Sequence, residues 1–210
     1  DLVSRIRNAC GSSIDILVVD DNSPDGTQNV ISLLQVNDKN LHLVGREYKL
    51  GLGSAHKMIF AFAIANNYEK VVTLDADLSH RPEEIPKLLE RSGKGKFVIG
   101  SRYVNGGSSN YSGWRNFVSR VGNVVSRLVV GTDLREFTTS FRVFNTATLR
   151  KIPLHKIKSN GYAFFVEIIF YLSYLDLEFV EVPISFEDRK NDLSKIPRAQ
   201  MLYSCWSLVN

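Results

Sequence analysis

Leu2, Val3, Ile6 and Ala9 recur at helical spacing, so the chain opens on a predicted helix. The pattern then changes. Ile14 to Val19 (Ile-Asp-Ile-Leu-Val-Val) is rich in β-branched residues and predicts a mostly buried strand. The polar stretch Asp20 to Thr27 is dense in Asp, Asn, Ser, Pro and Gly and reads as a turn-rich loop, followed by a helix to about Gln35. The same reading gives a strand at Leu41 to Val44, a helix at Ser54 to Ala65 and a strand at Val71 to Leu74. A helix follows at Arg81 to Arg91, with Pro82 in its first turn, and then a strand at Phe97 to Ile99. Strands alternating with helices predict an α/β fold, a mainly parallel sheet with helices on both faces.

The second half is less regular. Trp114 to Val130 predicts a long helix, Phe141 to Phe144 a strand and Tyr162 to Leu175 a buried helix carrying Glu167. Phe179 to Phe186 predicts a strand that Pro183 confines to a sheet edge or bulge. Pro197 to Val209 has the spacing of an amphipathic helix. A doubly wound sheet normally starts with a strand before its first helix, so an amino-terminal strand is expected to be missing. The whole of 1–210 is read as one domain, truncated at both ends.

Charge adds an asymmetry that the net value of +4 hides. Residues 1–86 hold 8 Lys/Arg against 12 Asp/Glu, residues 87–158 hold 14 against 3, and residues 159–210 hold 4 against 7. The cationic middle suits phosphate, nucleic acid or an anionic membrane, or a plain solvated helix face. It contains no aromatic-rich nucleic-acid module, so nucleic acid is not expected as a partner. Cys10 and Cys205 lie far apart without metal-type spacing and read as free thiols. No run of about 20 apolar residues is present.

Asp75-Ala-Asp77 closes the strand Val71 to Leu74. If extended geometry continued through it, both carboxylates would project to one side at the strand's carboxyl end. That is where ligands bind in open α/β sheets. Two carboxylates suit a hard divalent cation that takes its other ligands from water and a substrate phosphate.

Several ordered motifs carry a family resemblance. Val18-Val19-Asp20-Asp21-Asn22-Ser23-Pro24-Asp25-Gly26-Thr27 resembles the nucleotide-binding loop of family 2 glycosyltransferases, and Gly51-Leu52-Gly53-Ser54-Ala55 their next loop. Leu74-Asp75-Ala76-Asp77-Leu78-Ser79-His80-Arg81-Pro82 matches their metal motif, with Ile99-Gly100-Ser101-Arg102-Tyr103 following at family spacing. With Ser140-Phe141-Arg142, Glu181 to Phe186, Asp188-Arg189 and Ser194-Lys195, the set is similar to dolichyl- or polyprenyl-phosphate mannosyltransferases over nearly the whole chain.

That resemblance implies a nucleotide-diphospho-sugar transferase (GT-A) fold, with a donor half at 1–100 and an acceptor half at 101–210. It implies inverting, metal-dependent transfer of a hexose to a polyprenyl or dolichyl phosphate. Mannose from GDP-mannose is the first expectation, with UDP-glucose or UDP-N-acetylglucosamine as alternatives. Asp20, Asp21, Lys49, Gly51 and Asp75 would serve the donor, with Asp25 capping the next helix. Asp75, Asp77 and Ser79 would hold Mg²⁺ or Mn²⁺, although Ser79 also suits a helix cap and His80 a packing role. Arg102, Arg115, Ser119, Arg189 and Lys195 would bind the acceptor phosphate, with Asp77, Arg102 and Arg115 central to catalysis. Asp192 stands where relatives carry glycine between Arg189 and Lys195. Arg120 would meet solvent or lipid head groups, and Glu167 would orient Arg142. The expected setting is the cytoplasmic face of a membrane, peripheral or held by an anchoring subunit or a transmembrane segment beyond this chain. A phosphotransferase of the haloacid dehalogenase type and a non-catalytic nucleotide-sugar-binding subunit remain alternatives. The first leaves the Asp20-Asp21 loop and Arg102 unexplained.

Overall fold

The computed structural model describes residues 1–110 and 113–187. The amino-terminal stripe forms α1 (Leu2–Cys10). There follow β1 (Ile16–Asp20), α2 (Thr27–Gln35), β2 (Leu41–Gly45), α3 (Leu52–Ala65), β3 (Lys70–Thr73), α4 (Ile85–Arg91) and β4 (Lys96–Ser101). The predicted helix at Arg81 to Arg91 is divided: Pro82–Glu84 is a 3₁₀ turn leading into α4. Pro86 has no N–H to reach back to the Pro82 carbonyl, so Ile85 bonds it instead with the tighter spacing.

The second half contributes β5 (Ser108–Ser109), α5 (Gly113–Val130), β6 (Arg142–Asn145), α6 (Thr146–Leu149), α7 (Tyr162–Ser173), β7 (Glu178–Pro183) and β8 (Ser185–Phe186). Two elements were not anticipated. β5 is too short to show alternation, and α6 is one turn, capped by the Asn145 side chain accepting from the Ala147 N–H. The expected helix at Pro197 to Val209 lies outside the described residues, as do Arg189, Asp192, Lys195 and Cys205.

β1 and β2 pair in parallel. A four-stranded sheet runs β3-β6-β4-β7, and β5 pairs with β8. β4 and β7 are parallel, while β6 is antiparallel to both neighbours. β3 and β4 therefore share a direction, and the chain leaves both at the same sheet edge. β7 is the outer strand of the sheet and ends at Pro183, the edge position that proline requires.

Alternation along β4 separates the core into two layers. Phe97 and Ile99 join Phe60, Phe144, Phe164, Phe165 and Ile168 on the α3–α7 side. Val98 joins Ile6, Leu88, Val143 and Ile184 on the α1–α4 side. Strands from both halves of the chain share these layers, so the sheet edge that carries Asp75 and Arg102 rests on one continuous scaffold.

Candidate active site

At the end of β1, Asp20 is buried, and its Oδ2 accepts from the Ser23 N–H at 3.0 Å and Gln28 Nε2 at 2.8 Å. Burial pushes its carboxyl up, but the bonds from Ser23 and Gln28 outweigh this and hold it below the ordinary aspartate value. Asp20 thus organises its own loop. Asp25 accepts from the Thr27 N–H at 3.0 Å, but the residue that caps α2 is Gly26 and no side chain caps the helix, so the capping expected of Asp25 is corrected. Asp21 forms an ion pair with Arg46, a residue that the sequence reading passed over. Arg46 is buried, and its Nη1 donates to Ser54 Oγ at 3.0 Å. Its Nε is buried without a hydrogen-bond partner, an unmet donor of the kind a ligand oxygen satisfies. Lys49 is exposed beside this loop.

The glycine loop packs against the segment 159–164. A Cβ on Gly53 would come within 2.9 Å of the Phe164 ring and the Ser159 carbonyl, and one on Gly51 within 3.1 Å of Asn160 Oδ1. These glycines permit close approach to Asn160, Phe164 and the Ser159 carbonyl of the same chain. Gly51 also carries φ of +87°, which a side chain would strain.

Extended geometry does not continue through Asp75-Ala-Asp77. β3 stops at Thr73, and residues 76–77 form a turn. Strand alternation is therefore not what orients the two carboxylates. Leu78 adopts φ of +63°, a costly conformation for a branched bulky residue that something must hold. The holding bonds are visible. Asp77 Oδ1 accepts from Ser79 N–H at 3.0 Å and Ser79 Oγ at 2.5 Å. Ser79 is buried and its hydroxyl serves Asp77; the following turn has no side-chain cap, so the capping expectation is corrected. Asp75 is about one-third exposed. Among the described residues no group of three or more His, Cys, Asp or Glu gathers to hold a metal. Carboxylate oxygens on an accessible turn fit a hard cation that completes its shell from substrate phosphate.

His80, buried behind this turn, is more than packing. Its Nδ1 lies 3.5 Å from the Asp75 N–H, and its Nε2 lies 2.9 Å from Thr139 Oγ1. The Asp75 N–H can only donate, so Nδ1 accepts and Nε2 carries the proton. Burial holds the imidazole below its ordinary value and so neutral.

The segment carrying Thr139 also anchors Arg102. Glu136 accepts from Arg102 Nε at 2.8 Å and Nη2 at 2.9 Å, and from the Thr138 N–H at 3.0 Å. Arg102 Nη2 also donates to Thr138 Oγ1. Both members of the pair are buried. Burial raises the Glu136 carboxyl, but the Arg102 charge and the hydrogen bonds outweigh it, leaving it below the ordinary value. The Arg102 guanidinium sits 5.2 Å from the Tyr103 ring and 5.0 Å from Phe186. Tyr103 donates its hydroxyl to Ser119 on α5 at 2.7 Å, and Arg120 lies 5.3 Å from its ring. Arg115 is half-buried four residues before Ser119 on the same helix. The structure thus brings Arg102, Tyr103 and Ser119 together. Glu136, Thr138 and Thr139 were missed; Glu136 is one of only three acidic residues in the most cationic third, which was the available signal.

Arg142 is fully buried and donates to the carbonyls of Phe137, Thr139 and Phe165. Burial pushes it down to about 9, which leaves it charged at neutral pH. Glu167 accepts instead from the N–H groups of Lys158 and Ser159, so it does not orient Arg142.

α5 is inverted. Its buried residues are Asn123, Ser126 and, at the carboxyl end, Val130, while Trp114, Phe117, Val121, Val124 and Leu128 are exposed. Their alternating intervals of three and four make one apolar stripe, about 21 Å long. Among the described residues no helix is long and apolar enough to cross a membrane.

Residues 1–153 match the family described as glycosyl transferase family 2. The chain is 39% identical over 195 residues to the undecaprenyl-phosphate mannosyltransferase of Micrococcus luteus, covering 92% of this chain and 80% of that protein. It is 37% identical over 198 residues to the polyprenol monophosphomannose synthase of Mycolicibacterium smegmatis, covering 93% and 74%. Among solved structures, glucosyl-3-phosphoglycerate synthase from Mycobacterium tuberculosis in complex with UDP aligns with a TM-score of 0.65 at 20% identity, covering 98% of this chain and 74% of that one. A complex of the same enzyme with Mn²⁺, UDP-glucose and phosphoglyceric acid gives 0.63 at 19%, covering 97% and 75%. A third solved chain, a mycobacterial protein, gives 0.62 at 20%, and this chain spans 62% of its length. These likenesses establish the expected GT-A fold.

Proposed function

The chain belongs to the family 2 glycosyltransferases, and from that membership we propose that it transfers mannose from GDP-mannose to a polyprenyl or dolichyl phosphate, with inversion at the anomeric carbon. One observation carries the reading. The segment 136–140 ties a two-carboxylate turn, through Thr139 and His80, to an arginine-centred cluster, through Glu136 and Arg102. The curated relatives are named as enzymes of this kind.

A sugar passed to a hydroxyl calls for a general base. A phosphomonoester has a second pKa of about 6 and arrives largely ionised near neutral pH. The protein must instead hold that phosphate against an equally negative donor, and arginine's fixed, always-charged fork suits this. In this reading Arg102, Arg115 and Ser119 receive the acceptor phosphate, with Arg102 pre-oriented by Glu136. Arg189 and Lys195 are proposed for the same phosphate. Asp21, Arg46 and Lys49 face the nucleotide and its diphosphate. Asp75 and Asp77 would hold Mg²⁺ or Mn²⁺, which supplies positive charge where the departing diphosphate gains negative charge. Ser79 acts through Asp77 rather than as a ligand. The outward apolar stripe of α5, bordered on one side by Arg120 and Arg127, supports work at a membrane surface, where the acceptor resides.

The test offers radiolabelled GDP-mannose, UDP-glucose or UDP-N-acetylglucosamine to the full chain with a polyprenyl phosphate and Mg²⁺. Labelled lipid from GDP-mannose, lost with EDTA and in Asp77→Ala, is the expected result. Arg115→Ala should raise the acceptor KM and leave the donor KM alone. No lipid-linked product with any donor refutes the proposal.

A further inference from the structure

Beside the apolar stripe of α5 lies an open cleft of about 200 Å³, lined by Tyr103, Arg120, Asn123, Val124, Arg127 and Arg135. We propose that it binds the phosphate of an anionic membrane phospholipid headgroup, at a site separate from the acceptor-phosphate cluster. The inference rests on the membrane-surface reading above.

Charge is the first argument. Three arginines line one small cleft, and their like charges repel unless anions meet them. Among the described residues, the nearby carboxylates do not cancel this. Asp133 reaches Arg127 at 3.2 Å but is fully exposed, where such pairs are weak. Glu181 accepts the backbone N–H of Arg135 rather than its guanidinium. Glu136 is committed to Arg102. The polar wall is occupied too: Asn123 accepts the Phe137 N–H at 2.6 Å and donates to the Ser119 carbonyl at 2.9 Å. The cleft therefore presents cationic forks, the donors best matched to phosphate oxygens.

Placement is the second argument. Val124 belongs both to the cleft wall and to the exposed stripe. A helix seated with that stripe in the acyl boundary sets the cleft at headgroup level. Arg120 and Arg127 are seven residues apart on one side of α5, roughly 10 Å along its axis, a span that a headgroup can bridge. Arg115 lies about 140° round the helix from Arg120, towards the acceptor side. Tyr103 divides the two sites: its hydroxyl holds Ser119, and its ring lies beneath Arg120.

The test is co-sedimentation of the full chain with phosphatidylcholine vesicles and with vesicles containing 30% phosphatidylglycerol (a composition of the experiment, about one anionic lipid in three). Each arginine near an anionic surface is worth about fivefold in binding. Wild type should therefore prefer the anionic vesicles by about 100-fold. Arg120→Gln/Arg127→Gln/Arg135→Gln should fall to the phosphatidylcholine level, and Arg135→Gln alone should lose about fivefold. Circular dichroism and thermal melting verify folding, and Arg135→Gln, on an exposed turn, remains informative if the triple variant does not fold. Lys94→Gln/Lys151→Gln/Lys156→Gln removes the same charge elsewhere; an equal loss there means diffuse attraction and overturns the site. Release of wild type from anionic vesicles by millimolar inorganic phosphate overturns a lipid in favour of a soluble anion. Equal binding to both vesicles overturns this inference while the membrane reading stands, and binding to neither overturns both.

Discussion

Removing the charge of Glu136 should destabilise the protein far more than an ordinary Glu→Gln change. Oε1 of Glu136 takes Arg102 Nη2, the Thr138 N–H and the Thr138 hydroxyl, while Oε2 takes Arg102 Nε. A glutamine can place its one oxygen at the first position, but its NH₂ then faces the Arg102 Nε–H, donor against donor. Arg102, whose side chain is 4% exposed, then loses the carboxylate that it meets inside the protein. Removing one member of a buried ion pair costs about 3 to 5 kcal/mol, a large share of the roughly 5 to 15 kcal/mol that holds a domain together. With a urea m-value near ~2 kcal/mol/M, the unfolding midpoint of Glu136→Gln should fall by roughly 2 M with m unchanged. Arg102→Met should lose a similar amount, and Arg102→Met with Glu136→Leu should recover more than half, because neither charge of the pair is then buried. The sign with pH is defined. The folded Glu136 carboxyl lies below its ordinary 4.5, so its contribution is complete above that pH and disappears as pH falls through the lower folded value. The double variant should therefore have a shallower acid limb below pH 4.5. A Glu136→Gln midpoint indistinguishable from wild type, or a double variant less stable than either single, refutes the reasoning.

Thr139→Val keeps the shape but removes the partner of His80 Nε2; Mn²⁺ affinity, read by electron paramagnetic resonance, should weaken about tenfold, and Thr139→Ser should restore it. Unchanged Mn²⁺ affinity in the valine variant would show that His80 does not position Asp75. His56 is buried among Phe60, Phe164 and Phe165, and burial lowers its pKa to about 4. The unfolded chain takes up this proton near 6.5 and the folded chain does not, so roughly 3 kcal/mol of stability is lost as pH falls from 6.5 to about 4. His56→Leu should flatten that slope in denaturation series. Gly53→Ala should cost about 1 to 3 kcal/mol by thermal melting, because its methyl meets the Phe164 ring and the Ser159 carbonyl.

Alternation, periodicity and loop chemistry placed the principal strands and helices because each signal is local: a β-branched run, a helical stripe, a cluster of turn residues. They failed where partners distant in sequence decide. Nothing local announces that β6 inserts antiparallel between β3 and β4, since strand direction depends on the path of the chain between. The stripe on α5 was read correctly as a helix, but period alone does not say which face is outward; burial of Asn123 and Ser126 settled that.

The candidate site divides in the same way. Asp75, Asp77 and Arg102 could be singled out from the sequence because their motifs are contiguous and ordered, and Ser119 because the resemblance implied it. Their geometry could not. Asp77 is held by Ser79, through a turn at Leu78 that strand alternation does not foresee. Arg102 depends on Glu136, 34 residues later, and His80 on Thr139, 59 residues later. Residue chemistry and the order of elements were legible in the chain, because both are written in neighbouring positions. That a two-carboxylate turn and an arginine cluster share the segment 136–140 emerges with the fold, because buried charges and donors must find partners wherever the chain brings them.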